Sequence, residues 1–438
     1  DNLMSQIEAV GIDPASQLRT ERIVLLVLSA VQFTSIVDFM VIMPLGKQLM
    51  ESLSIDPTKF GLLVSSYTFA AGFAGLVASS IIDRYSRRTA FLTLYAGFLI
   101  GTLCCALAPN YAALMVARLV TGGFGGILGG MSMAIIGDVF PEEKRGRASA
   151  ALMSAFALAS VAGVPIGLSL GIKYGWHVPF MLLAILGSPI LIVAQFALPP
   201  LKAHIGKEHA HPIKSLVDTF SVPNHLYAFG LILTLMIGGF AVIPYVSVFL
   251  VRNVGYPEPS LPYVFITAGA LTLVAAPLVG KIADRRGKFF VYRAIVPFSA
   301  LMLVVVTHLP PVSMSVAIAA VSILMVSNAG RMIAAMAMIT SSVQRQRRGS
   351  FMSANASVQH IATGIGACFG GLIIKETPDH ALLNFTVVGW IAAVTTLASL
   401  WFASRVRAVD DEPVGDAAAS LAAAAEATFD VGEPMVGM

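Results

Sequence analysis

Long apolar stretches separated by short polar breaks run along most of the chain. A helix needs about 20 apolar residues to cross a hydrocarbon core of roughly 30 Å. Twelve stretches approach or exceed this length, and each is predicted to be helical because lipid offers no hydrogen-bond partner to the backbone. The predicted spans, numbered 1 to 12 in chain order, are residues 23–46, 60–82, 89–108, 111–137, 148–172, 177–198, 225–251, 261–280, 290–308, 313–339, 351–375 and 381–404.

The composition supports a membrane protein and argues against other classes. Hydrophobic residues make up 57% of the 438 residues and charged residues only 12%, too few to cover the surface of a soluble domain. The three cysteines lie inside apolar runs, so neither a disulfide framework nor a metal site is predicted. We expect an all-α polytopic membrane protein that is not an enzyme, needs no cofactor and binds no nucleic acid.

The basic residues predict an orientation and a division of the chain. If span 1 starts in the cytoplasm, 21 of the 28 Lys and Arg residues fall in cytoplasmic segments, and five fall in external ones. This bias predicts cytoplasmic termini. The longest polar break separates two sets of six spans. The predicted segments are a cytoplasmic start (1–22), a first bundle (23–198), a linker (199–224), a second bundle (225–404) and a tail (405–438).

A charged phrase occurs once in each half. DRYSRR (83–88) joins spans 2 and 3, and GKIADRRGK (280–288) joins spans 8 and 9, so the halves form a tandem repeat. The repeat and its loops resemble the major facilitator superfamily, whose members have twelve helices in two six-helix halves. The resemblance implies that the loops gate the cytoplasmic side, although topology-setting arginines remain the alternative. The implied gating residues are Asp83, Arg84, Arg87, Arg88, Asp138, Asp284 and Arg285.

Ionisable groups inside the bilayer are costly, so each is a functional candidate. Asp38 is the only acid well inside a span, and it lies about eight residues before the predicted end of span 1. Arg118 lies at a similar depth in span 4, roughly 12 Å below the surface. The resemblance places spans 1 and 4 together, which makes Asp38 a candidate proton carrier with Arg118 as its partner. A static buried salt bridge is the alternative.

The second half carries different polar groups. Arg331 in span 10 lies about ten residues nearer the cytoplasm than Arg118, with no acid in span 7 to neutralise it. Substrate binding and snorkelling towards the interface are both open for Arg331. His360 shares a polar face of span 11 and could titrate or simply pack. The candidate cavity residues are Arg331, Asn328, His360, Gln359 and Asn355.

Small residues in span 5 favour a direction of transport. Gly163, Pro165 and Gly167 resemble the antiporter signature of drug-efflux members, although Val164 interrupts it. Ordinary small-residue packing would also explain them.

No ATP-binding loop occurs in the sequence, so coupling to an ion gradient is predicted. We therefore expect a monomeric, proton-coupled exporter of an apolar or amphiphilic solute in a bacterial inner membrane. Export of a sugar, metabolite or lipid, and a sensor that does not transport, are the alternatives.

Overall fold

The computed structural model describes residues 14–81, 85–199, 218–344 and 347–409. The predicted linker and tail lie largely outside these residues, and so do Asp83 and Arg84. Within the described residues, twelve helical segments are long and apolar enough to cross a membrane, which confirms the predicted number and the all-α class. Both ends of the described chain therefore lie at one face of the bundle, called the terminal face below; the other is the distal face.

The helices follow the predicted spans closely, and each span keeps its number. The helical bounds are Pro14–Val41 (span 1), Pro57–Ile81 (2), Arg87–Ala106 (3), Tyr111–Val139 (4), Glu142–Leu158 and Val164–Tyr174 (5), His177–Ala197 (6), Pro223–Phe240 and Ile243–Arg252 (7), Leu261–Arg286 (8), Lys288–Thr307 (9), Met314–Ser341 (10), Arg348–Ile373 (11) and Phe385–Arg405 (12). A short helix, Gly46–Ser52, follows span 1. A two-stranded ribbon, β1 (Lys375–Glu376) and β2 (Leu382–Leu383), precedes span 12.

Several predicted boundaries differ from the helical bounds, and two of the differences have identifiable reasons. Span 1 ends at Val41 rather than at residue 46, since Pro44 disfavours helical backbone in the residue before it. Span 8 continues to Arg286, so Asp284 and Arg285 lie in its last helical turn rather than in a loop. That helix ends at Gly287, whose φ of +94° is a conformation that other residues rarely adopt.

The hydrophobic core differs between the two faces. On the distal side it is one cluster that includes Val41 and Val64 of the first half with Tyr245 and Ala367 of the second. Towards the terminal face there are two separate clusters, each confined to one half. The two halves therefore share one apolar core at the distal face and have separate cores towards the terminal face.

Two pairs of spans make most of the contact between the halves. Span 2 packs along span 11, where the Ser65 hydroxyl donates to the Gly364 carbonyl oxygen at 2.8 Å. Span 5 packs against span 8, where a Cβ added to Gly269 would lie 3.1 Å from the Ser160 carbonyl oxygen. Glycine at such positions lets two helix backbones approach closely without a side chain between them.

Ion pairs hold the halves together at the distal face. Lys47 contacts Glu258 of the second half, and Arg252 Nη2 lies 3.5 Å from Glu51 Oε1 of the first. Arg252 Nη1 also lies 3.0 Å from Glu376 Oε1. We call these five residues the distal latch.

Candidate functional site

The most buried charges of the first half form one ion pair. Arg118 Nη1 of span 4 donates to Asp38 Oδ2 of span 1 at 2.8 Å, and both side chains have no exposed surface. The Thr102 hydroxyl of span 3 donates to Asp38 Oδ1 at 3.2 Å. Three spans therefore supply one acid, one base and one hydroxyl to a site that water does not reach in this conformation.

The remaining surface of the guanidinium faces an aromatic ring and apolar groups. Arg118 Cζ lies 4.5 Å from the centre of the Tyr67 ring in span 2, within the range of a cation–π contact. Among the described residues, Arg118 Nε and Nη2 have no hydrogen-bond partner. Because two of its nitrogens are unsatisfied, the stability of buried Arg118 depends strongly on the Asp38 carboxylate.

The glycines of span 5 position the segment of span 1 that carries Asp38. A Cβ at Gly163 would overlap Val37, and one at Gly167 would lie 2.8 Å from Val41 Cγ2. The helix between Ala159 and Gly163 is a π turn. Pro165 provides a reason for this turn, because proline has no N–H and displaces the carbonyl group one turn before it.

The same turn also contacts the second half. Its residues Ser160 and Val161 face Gly269 of span 8, so the turn lies between the Asp38 segment and the other half. The residues of the antiporter-like motif are thus placed at a junction of spans 1, 5 and 8.

An aromatic contact links the two halves beside the ion pair. The rings of Phe39 and Tyr67 are stacked with centroids 5.3 Å apart, and the Phe39 ring lies 6.2 Å from that of Phe240 in span 7. Phe39 follows Asp38 in the chain, and Phe240 follows Gly239. We call Phe39 and Phe240 the aromatic bridge.

Arg331 lies beside Gly239, the residue that precedes Phe240 of this bridge. Its side chain is 2% exposed, and Nη1 donates to the Thr396 hydroxyl of span 12 at 2.8 Å. Nη2 lies 3.0 Å from where a Cβ on Gly239 would stand. Among the described residues no carboxylate forms an ion pair with Arg331, and its Nε has no hydrogen-bond partner.

The other predicted cavity residues do not form a single cluster with Arg331. Asn328 lies one turn away on span 10, where its Oδ1 accepts from Ser299 at 3.2 Å and its Nδ2 has no partner among the residues that the structure describes. On span 11, His360 and Gln359 are partly exposed, and Asn355 is buried with Oδ1 unpartnered. Within the described chain, no hydrogen bond joins these span 11 residues to Arg331.

The charged residues near the terminal face pair within the first half. Arg87 Nε lies 2.6 Å from Asp138 Oδ2, whereas Arg88 donates to the backbone carbonyl of Gln195. Lys144 Nζ lies 2.9 Å from Glu21 Oε2. These pairs connect spans 3 and 4 and spans 1 and 5, and thereby stabilise one half rather than the contact between halves.

Sequence reasoning missed several neighbours of the ion pair. Thr102 and Tyr67 lie in apolar runs with nothing in the local pattern to distinguish them from other small or aromatic residues. Their roles depend on how spans 2 and 3 rotate about their axes, which close glycine contacts determine. One is at Gly122, where a Cβ would lie 2.7 Å from Tyr67 Cα.

A comparison with protein families matches residues 28–330 to the family described as Major Facilitator Superfamily. One curated relative is the inner membrane transport protein YdhP of Escherichia coli (strain K12), with 26% identity over 79% of this chain and 86% of the relative. Another is the chloramphenicol efflux pump MT0201 of Mycobacterium tuberculosis, with 25% identity over 56% of this chain and 59% of the pump.

A similar fold occurs among solved structures. A bacterial homologue of the human lysosomal transporter Spinster, in an inward-facing and unoccupied conformation, superposes with a TM-score of 0.66. The match covers 88% of this chain and 95% of the other at 15% identity, so it bears on the fold alone.

Proposed function

The chain belongs to the Major Facilitator Superfamily, and we propose that it is a proton-driven antiporter that exports a small apolar or amphiphilic solute. Membership of this family implies a multi-pass membrane transporter with a small-molecule substrate. Inner-membrane location is supported by the E. coli relative. The proton coupling and the direction of transport are the proposal.

The observation that carries the proposal is the buried Asp38–Arg118 pair. A carboxylate and a guanidinium with no exposed surface are costly to desolvate, and such a pair adds little net stability compared with apolar side chains of the same volume. Because the pair adds so little stability, a role in function is the better explanation for its presence. Protonation of Asp38 would break the ion pair and leave Arg118 uncompensated, so the site has two states that differ in charge.

The two faces support a cycle of alternating access. In the present conformation the joined core and the distal latch close the distal face, and Asp38 is sealed from water. Opening that face would separate Phe39 from Phe240 and bring water to the residue beside Phe39, which is Asp38. The positive charge bias of the loops supports a cytoplasmic terminal face. Protons would then enter from outside and leave inside.

Export is supported by the resemblance of the span 5 motif to the antiporter signature of drug-efflux members and by one relative. Gly163, Pro165 and Gly167 lie where span 5 contacts both span 1 and span 8, so a change at Asp38 can act on the contact between the halves. A relative is a chloramphenicol efflux pump. Export of a sugar, metabolite or lipid by the same cycle would use the same proton site.

The proposal is tested by proton release in proteoliposomes. The purified protein is reconstituted with an internal pH dye, and a panel of apolar and amphiphilic solutes including chloramphenicol is added. We expect at least one solute to change the internal pH in wild type and not in Asp38→Asn. Asp379→Asn is the matched control, since Asp379 is an exposed acid in the distal ribbon. Solute-dependent proton movement that persists in Asp38→Asn would refute the carrier, and binding without any transport would favour a sensor.

A further inference from the structure

We propose that Arg331 and Asn328 form a binding site for an oxoanion, and that the transported solute is an amphiphile with a carboxylate, sulfonate or phosphate group. This inference rests on the proposed transport of an apolar or amphiphilic solute and names its charged group. It concerns the second half of the protein, which the Asp38–Arg118 pair does not involve.

The first argument is the charge of the site. Arg331 is almost fully buried, its one hydrogen bond is to the neutral Thr396 hydroxyl, and none of the described carboxylates pairs with it. A buried cation of this kind is unfavourable unless an anion accompanies it. In the first half Asp38 provides that anion for Arg118, whereas no described residue of the second half provides one for Arg331.

The second argument is the type of unsatisfied atom. The Nε of Arg331 and the Nδ2 of Asn328 are both buried donors that have no acceptor within the described part of the chain. The two residues are three positions apart on span 10, so their side chains lie on one face of the helix. Two neighbouring donors without acceptors fit an oxygen-rich anion, since guanidinium groups bind carboxylate and phosphate oxygens with matched geometry.

The third argument is what lies next to the site. Gly239 has no side chain, which lets Arg331 Nη2 pack against its backbone, 3.0 Å from where a Cβ would stand. The next residue, Phe240, forms the aromatic bridge with Phe39. An anionic group that meets Arg331 would therefore lie one residue along span 7 from the contact that joins the halves, where the two rings offer an apolar surface.

The test compares a carboxylate with its neutral amide in thermal unfolding. Wild type in phosphatidylcholine nanodiscs is heated with 1-naphthoate or with 1-naphthamide, without any pH gradient. We expect naphthoate to raise the unfolding temperature and to bind at least about tenfold more tightly than naphthamide. Arg331→Gln should remove this preference. Arg293→Gln, which removes an exposed arginine of the same half, should keep it.

The outcomes separate this inference from others. Equal effects of acid and amide on wild type, or a preference that survives Arg331→Gln, would overturn it. If nanodiscs containing phosphatidylglycerol abolish the effect of naphthoate, the site is an oxoanion site that a lipid headgroup occupies. Because Arg331 lacks an acid, Arg331→Gln should not lower the unfolding temperature of the ligand-free protein, so loss of folding does not obscure the result. The binding test uses neither a pH gradient nor a change at Asp38. Its result therefore does not depend on whether the proposed proton coupling is correct.

Discussion

The Asp38–Arg118 pair allows its two possible roles to be separated by neutralising one residue or both. Each side chain is fully buried, and the 2.8 Å contact with Asp38 is the ion pair of Arg118. Removing one partner of such a pair costs about 3–5 kcal/mol, because the other charge stays buried without compensation. We expect this loss in Asp38→Asn and in Arg118→Gln.

The double variant Asp38→Asn with Arg118→Gln should recover most of that loss. Two neutral amides can hydrogen-bond to each other, and neither leaves a buried charge. If the double variant costs about 1–2 kcal/mol, against a sum of about 6–10 kcal/mol for the two single variants, the coupling energy is at least about 4 kcal/mol in its favour. A static salt bridge predicts that transport recovers along with stability. A proton carrier predicts that stability recovers while the coupling to protons does not.

The assay measures the two quantities on the same preparations. The free energy of unfolding is obtained by denaturant titration in detergent, and solute flux driven by an imposed pH gradient is followed in proteoliposomes. Asp379→Asn serves as the control for loss of an acid. Gradient-driven flux in the double variant at the wild-type level would refute the role of Asp38 as carrier.

Two further predictions follow from close contacts. Gly122→Ala places a methyl group 2.7 Å from Tyr67 Cα and should lower the free energy of unfolding by about 1–3 kcal/mol. Gly123→Ala is the control and should not lower it, because nothing lies within 4 Å of the added methyl group. Thermal unfolding of both variants tests this prediction. Glu258→Gln removes the partner of Lys47 in the distal latch, which is worth at most about 1 kcal/mol because both side chains are partly exposed. We expect the ratio of open to closed distal faces to rise by up to about fivefold. Unchanged distances between spin labels on the distal loops of the two halves would contradict this prediction.

The number of spans was predictable because each apolar run carries the signal of a membrane helix by itself. Details that depend on single residues were less accessible. The break in span 7 follows Gly238 and Gly239 and precedes Pro244, a pattern that also occurs in unbroken membrane helices. The π turn before Pro165 likewise follows from a proline whose effect on helix geometry depends on its neighbours.

The depth predicted for Asp38 was wrong, but Asp38 and Arg118 nevertheless form a contact. Asp38 lies three residues before the end of its helix at Val41, not eight, so the depth counted from the sequence used a wrong boundary. The two side chains meet because spans 1 and 4 pack together, which the resemblance to a family implied and residue counting could not. The positions of Thr102 and Tyr67 required the rotation of each helix, which the uniform apolar pattern does not encode.

Arg331 was recognisable from the sequence as a charge without a partner, but its surroundings were not. Its hydrogen bond to Thr396 joins two residues that are 65 positions apart in the chain, and no local pattern predicts such a pairing. The aromatic bridge was missed for the same reason, since phenylalanines are frequent in every span.

The unequal cores of the two faces have a consequence for energy conservation. The apolar cluster that the two halves share lies at the distal face, so an empty transporter must break that cluster before it can turn over. Under the proposed proton-driven cycle, a protein without cargo would stay closed towards the side from which protons arrive. An idle molecule would then dissipate little of the membrane's electrochemical gradient, and its leak rate should be low compared with its working rate.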